Sequence, residues 1–304
     1  MTTCLHARVA TRLVRLAALV AAALVAACAS TDSAPRDAAQ PNVQYTFATP
    51  DEAGLSLANA AADLDGESLH RIFGPDIAML SSGDSTQDDL DLQRFALAYD
   101  RGHSIRQDGP DVCSLVVGEQ GWTFPVPIVR SGDRWYFDTA AGGTIVRAAR
   151  IESNEATAVL ALVALAGAEQ VYFDMDPDGD GTKTFASRIL SSGGTRDGLY
   201  WSDDLGGEQS PVGLGFAVAD AANMPTPIPA DGYLFRVLPP TGARASTTVS
   251  IVAFPSSYGE TGRNTFVIVD GTVWRRDLGA STRADAMAMG TFAPDATWTR
   301  VDAK

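Results

Sequence analysis

Asp174, Asp176, Asp178 and Asp180 recur at alternate positions around Gly179, and this is the spacing in the chain best suited to chemistry. Alternate carboxylates on a tight turn converge on a hard cation, and D-x-D-x-D-G is how an EF-hand calcium loop opens. Gly179 would permit the sharp turn, and Asp180 would offer its carbonyl. The bidentate glutamate that closes such a loop is replaced by Phe185, and Pro177 stiffens the segment. Two readings follow. Either a weak calcium loop is completed by a carboxylate from elsewhere, or this is a solvated acidic turn after a helix. In the second case the carboxylates oppose the helix dipole and call for a compensating positive charge.

Tyr200, Trp201, Tyr233 and Tyr258 stand among glycines. Flat rings in loops stack on sugars or anchor a partner protein, and the same rings also cap the edge of a core. Nucleophilic chemistry has little to work with. Beyond the N-terminal segment the only histidines are His70, on the polar side of a short helix, and His103, at a helix exit. Neither belongs to a G-x-S-x-G or H-E-x-x-H arrangement. Cys113 lies in Val112-Cys-Ser-Leu-Val-Val117, a strand pattern that predicts a buried structural thiol. Paired carboxylates acting as acid and base would be a hydrolase's route, but 37 acids make chance pairs common.

The elements that must position these residues fall into two groups. Thr49-Pro50-Asp51-Glu52 is a helix start, with Thr49 as cap, Pro50 in the first turn and Glu52 closing a capping box. Leu57, Ala61 and Leu64 continue it to Gly66. A short helix follows through Leu69, Ile72 and Phe73, and a third after Thr86 carries Leu92, Phe95, Ala96 and Tyr99 at helical spacing. Strands are predicted at 112–117, 122–129 and 134–139, the second at an edge or bulge because Pro125 and Pro127 cannot donate to a ladder. The pattern predicts an α+β domain over 45–140, similar to the cone-shaped nuclear-transport-factor-like or cystatin-like folds.

Residues 144–173 read as one long helix, its second half so apolar that it is expected inside a core; Glu169 argues against a membrane span. A Gly-rich stretch to Met224 reads as loop. Strands at 232–238, 247–254 and 264–275 follow, the last folded at Asp270-Gly271, a strong hairpin signal. One long helix on an antiparallel meander resembles the globular part of type IV pilins, so residues 141–304 are expected to be a pilin-like α+β domain.

At the N-terminus, residues 1–27 combine Arg8, Arg12 and Arg15, an Ala/Leu/Val run and small residues Ala26-Ala27 before Cys28. This is the pattern of a secretory signal peptide. Val25-Ala-Ala-Cys28 resembles the lipobox of bacterial lipoproteins, which implies acylation of Cys28 and insertion of its chains in a lipid bilayer. Ala29 in place of Asp implies the outer membrane, facing the periplasm. Residues 28–44 read as a disordered tether.

Phe47-Ala-Thr-Pro-Asp-Glu-Ala53, Ile72-Phe-Gly-Pro75, Ser82-Gly-Asp84, Trp135-Tyr-Phe-Asp-Thr-Ala-Ala-Gly142, Asn154-Glu155, Asp197-Gly-Leu-Tyr-Trp201, Ser210-Pro211, Gly232-Tyr233, Tyr258-Gly259, Asp277-Leu-Gly279 and Phe292-Ala-Pro-Asp-Ala-Thr-Trp298 occur in that order. Together they resemble the uncharacterised proteobacterial envelope lipoproteins of domain-of-unknown-function family twenty-nine-fifty. The resemblance covers most of the chain and carries no activity.

The formal charge of −14 falls to about −17 once the three N-terminal arginines are removed. A surface so acidic repels nucleic acid, which is excluded as a partner. The expectation is therefore a membrane-anchored periplasmic lipoprotein acting as a non-catalytic interaction or assembly module, with an envelope protein or glycan as partner. No cofactor is required; calcium is the one candidate. The alternative is a carboxylate-dependent hydrolase of envelope glycan or peptide.

Overall fold

The computed structural model describes residues 44–81, 85–177, 181–239 and 249–301. Cys28 and the tether lie outside them, as do Asp178 and Asp180. The chain is mixed α+β and divides into two compact units between Arg150 and Ile151, whereas the sequence suggested a break at 140.

Helix α1, Pro50–Ala62, starts as expected, with Thr49 Oγ1 accepting from Glu52 N at 3.1 Å. The Glu52 carboxylate reaches one residue further out than a standard capping box and accepts from Ala48 N at 2.7 Å. Asp65 caps α2, Gly66–Phe73, through two N–H bonds of 3.1 Å from Glu67 and Ser68; the Ser68 side chain first, and then these N–H groups, pull its pKa down. Gly74, at φ 71°, ends that helix and opens a 3-10 turn to Leu80. Helix α3 runs Ser85–Arg101.

The first sheet is antiparallel in the order β1-β2-β4-β5, with β3 also paired to β2. The strands are β1 His103–Gly109, β2 Val112–Val117, β3 Trp122–Thr123, β4 Ile128–Ser131 and β5 Arg134–Phe137. The predicted strand 122–129 is broken where Pro125 and Pro127 remove two donors. Helix α3 exits at Arg101 as expected, and β1 begins directly at His103. The core gathers Leu57, Leu69, Leu115 and Ile128 around Phe73, Phe124 and Phe137, whose ring centroids stand 5.4–6.3 Å apart. Phe47 bridges to Trp135 and closes the N-terminal end onto β5.

Helix α4 runs Thr139–Met175, starting earlier than predicted because Asp138 accepts from Ala141 N at 3.0 Å. The Gly142-Gly143 pair, a break signal in isolation, lies inside the helix. A Cβ on Gly142 would stand 2.6 Å from Val126 Cγ2, and one on Gly143 2.6 Å from Met79 Cβ. The glycines permit close approach at the cost of helix propensity. The second half of α4 is not buried all round, as the sequence suggested. Ala158, Leu162, Leu165 and Tyr172 face the core, while Leu160, Val163 and Val171 are exposed.

The second unit carries β6 Arg188–Leu190 and β7 Gly198–Tyr200, a parallel pair, and the short helix α5, Leu214–Val218. Its main sheet joins β8 Tyr233–Val237, β9 Ser250–Pro255, β10 Asn264–Val269, β11 Thr272–Asp277 and β12 Thr299–Arg300 as an antiparallel meander in chain order. Asp270 (φ 48°) and Gly271 (φ 71°) make the β10–β11 turn, which needs positive φ at both central positions. One face packs Tyr233, Phe235, Ala253 and Phe266 in the same core as the buried face of α4. The other packs Leu234, Val252, Phe254 and Val267 with Ala286 of helix α6, Thr282–Ala288. Burial on both faces explains why β8, β9 and β10 read as nearly continuous apolar runs.

Candidate functional site

In the second unit, three segments shared in wording with the family resemblance meet at the turn between β9 and β10. Asn154 and Glu155 end the polar stretch Glu152-Ser-Asn-Glu155 of α4, just before its apolar second half. Glu155 Oε1 accepts from Arg263 N and Asn264 N at 3.0 Å each, and Oε2 accepts from Asn264 Nδ2 at 2.8 Å. Asn154 Nδ2 donates to Thr261 O at 2.9 Å, and Tyr233 Oη donates to Asn264 O at 2.8 Å. Within the turn, Thr261 Oγ1 accepts from Ser257 N at 3.1 Å, and Gly262 O accepts from Gly259 N at 2.8 Å. The outcome is a clasped loop, 256–264. Its outward side presents Ser257, Tyr258 and Arg263 to solvent.

Of the four aromatics proposed to contact a glycan or partner, two need correction. Tyr233 is 0% exposed and Trp201 3%, so neither offers a ring face. Apolar burial outweighs display at both positions. Burial and the Glu155 charge push the Tyr233 phenol far up, so it acts as a neutral donor. Trp201 stacks edge-on to Tyr172 at 6.4 Å and donates through Nε1 to Glu208 O at 3.1 Å. Tyr200 is half-buried, and Tyr258, 37% exposed, is the ring that reaches solvent; its hydroxyl donates to Asp277 Oδ2 at 3.1 Å.

The acidic turn after α4 has a cation of its own. Lys183 Nζ donates to Asp174 O at 3.0 Å and stands 4.0 Å from Asp174 Oδ1. Asp176 adopts a left-handed φ of 49°, and its Oδ2 accepts from Gly181 N at 3.1 Å. Among the described residues no three acids, histidines or cysteines converge on one point. Asp178 and Asp180 lie outside them.

Three further carboxylates escaped the sequence reading as functional groups. Asp220 is wholly buried and accepts five N–H bonds: Ile189 N and Leu190 N at Oδ2 (3.2 and 2.9 Å), Asn223 Nδ2 at Oδ2 (2.8 Å), and Ala222 N and Asn223 N at Oδ1 (3.0 and 3.2 Å). It ties β6 to the turn before β8. Asp197 stays below the usual carboxylate range although burial pushes it up. Hydrogen bonds from Ser192 N (2.8 Å), Thr195 Oγ1 (2.7 Å) and Ser192 Oγ (2.9 Å), with the Arg188 charge, outweigh that burial. Glu169 is the opposite case. It is 0% exposed, accepts only from Ala186 N (2.9 Å) among the described residues, and is pushed up to about 8 by burial. A carboxyl that is neutral at pH 7 and sealed in a core meets no substrate. The local sequence announces Glu169 only as one acid in an apolar helix, and announces Asp220 not at all, because two of its donors come from residues 189 and 190.

Cys113 is 0% exposed, as its strand pattern predicted, and its thiol donates to Gln107 Oε1 at 3.3 Å. Burial, then the charges of Asp108 and Asp51, push its pKa up, which disfavours thiolate. His103 is exposed and stacks on Tyr99 at 3.8 Å, and His70 is half-buried on α2.

No curated protein and no solved structure matches this chain. A family model does match it, from residue 44 to residue 301. That match spans both units and every described element, and the chain belongs to the family described as "Protein of unknown function (DUF2950)".

Proposed function

We propose that the protein is a lipoprotein held at the outer membrane through acylated Cys28, facing the periplasm, and that it serves there as a non-catalytic docking module for another envelope protein. The clasped 256–264 loop supports this reading best. Loops positioned by a rigid scaffold are where recognition residues concentrate. Here two hydrogen bonds donated by Asn154 and Tyr233 and three accepted by Glu155 hold the loop, and Tyr258 stands on it as a part-exposed ring. Aromatic rings on preorganised loops lose little entropy on binding and dominate interface energies. From Cys28 to Gln44 the chain can reach up to about 55 Å, which would let the folded part meet partners away from the bilayer. The cone-like reading of the first unit and the pilin-like reading of the second belong to the same proposal.

Two measurements test it. Cys28→Ser should move the protein from the membrane to the soluble fraction and abolish acyl labelling; wild-type membrane recovery would remove the anchor. A photoreactive residue at position 258 should give one discrete protein adduct in native envelopes. The adduct should be absent from the same residue at exposed Glu119 and lost with Glu155→Gln. Equal labelling from both positions would remove the docking loop.

A further inference from the structure

A cavity of about 370 Å³ opens in the second unit where β6, the Asp220 turn and the end of β8 come together. Its polar lining is cationic or neutral: Ser187, Arg188, Arg236 and Asn223. Its apolar lining includes Phe185, Leu238 and Val249, and no carboxylate is among the described residues that line it. In a chain of formal charge −14 the lining itself thus presents cations, with the neighbouring carboxylates Asp197 and Asp220 set behind it.

The two guanidinium groups differ. Arg188 is matched by Asp197, 3.3 Å from its Nε, and donates through Nη1 to Ser192 Oγ at 2.8 Å. Arg236 is held by main-chain carbonyls instead: Nη2 donates to Ala286 O at 2.8 Å and to Met289 O. Its Nε is buried and has no hydrogen-bond acceptor among the described residues. The Asp220 charge acts on Arg236, but both oxygens of that carboxylate are engaged by the five N–H donors. Arg236 is therefore a positioned cation without a direct carboxylate contact. A partly desolvated guanidinium that touches no carboxylate directly favours a carboxylate ligand, because charge-assisted bonds strengthen where water is excluded.

We propose that this cavity binds a small organic anion, a carboxylate carried on an apolar body. The carboxylate would lie toward Arg236 and Asn223 and the body against Phe185, Leu238 and Val249. A volume of this size falls at the lower end for small-molecule sites and suits a chain or ring of modest length. Charge selects the head, and apolar lining selects the body.

Calorimetric titration of the full-length protein with octanoate, octylamine and acetate tests both halves. Octanoate should bind with a dissociation constant of about a millimolar, and octylamine and acetate at least about tenfold more weakly. Octylamine equal to octanoate would overturn the role of arginine; acetate equal to octanoate would overturn the apolar body; no octanoate binding would overturn the site. Arg236→Gln should abolish octanoate binding. Because that change also frees two carbonyls, Ala222→Phe serves as the second variant. Ala222 is an exposed residue of the lining, and the larger ring should block the cavity without entering the core. Wild-type octanoate affinity in a folded Ala222→Phe protein would place the ligand elsewhere and overturn the proposal.

Discussion

Gly262 lies against the Tyr233 phenol so closely that a Cβ on the glycine would stand 2.2 Å from Tyr233 Oη and 2.7 Å from two ring carbons. No side chain fits there while Tyr233 donates to Asn264 O. Gly262→Ala should therefore displace either the loop or the ring and destabilise the second unit by about 1–3 kcal/mol, the usual range for overpacking. Urea unfolding checks this. Restoration of stability by Gly262→Ala with Tyr233→Phe would show that the hydroxyl is the clashing atom.

Asp220→Ala would leave five N–H groups without their acceptor, two on β6 and three on the turn before β8. Each buried donor left unpaired costs about 1–3 kcal/mol, and partial relaxation should hold the sum to roughly 3–5 kcal/mol. The expected readout is a large fall in urea midpoint. Hydrogen exchange should also become fast at Ile189 and Leu190, while Leu115 and Ile128 of the first unit keep their protection.

Glu169 makes stability depend on pH in an unusual direction. Its folded pKa, about 8, lies above the ordinary value of 4.5, so the folded state binds the proton more tightly. Stability from this group is full below pH 4.5 and is lost as pH rises toward 8, at about 1.4 kcal/mol per unit. Glu169→Gln keeps an acceptor for Ala186 N and removes the ionisable group. It should flatten the decline between pH 5 and 8, read by thermal melts across that range.

With Cys4 and Cys28 replaced by serine, Cys113 is the sole thiol in the chain. Its burial predicts negligible reaction with a thiol reagent at pH 8 in the folded protein and full reaction in denaturant. Rapid labelling under native conditions would show that β2 opens easily.

If calcium fills the loop of Asp174, Asp176, Asp178 and Asp180, it competes with Lys183 for Asp174. Millimolar calcium should then raise the melting temperature relative to chelator, and Asp176→Asn should cancel the rise. Equal melts in calcium, magnesium and chelator would leave Lys183 as the counter-charge of this turn.

What could be read from the chain and what could not differ in range along the sequence. The Thr49 cap, the Asp270-Gly271 turn and the Cys113 strand are decided within a few residues, so composition and spacing identify them. The sequence places the helix start only at 144, past Gly142-Gly143, because the close approach that these glycines serve comes from Met79 and Val126, earlier in the chain. Trp201 and Tyr233 looked available for stacking because exposure is set by the strands and helix that cover them. Asn154-Glu155 stood out only as wording shared with the family resemblance, because its role depends on a turn more than a hundred residues later.

The strand order of the main sheet in the second unit bears on how the chain acquires its structure in time. Every neighbour in β8-β9-β10-β11-β12 is also a neighbour in sequence, so no strand waits for a distant partner. Local pairing of this kind lowers the entropy of loop closure and speeds folding. The tight β10–β11 turn is the natural nucleus, since hairpins form in about 1–10 μs. The first unit departs from this rule twice: β4 pairs with β2 past the intervening β3, and Phe47 must find Trp135 across nearly the whole unit. That bridge should form last, and amide exchange of Phe47 followed through refolding would time it against Ile268 in the early hairpin.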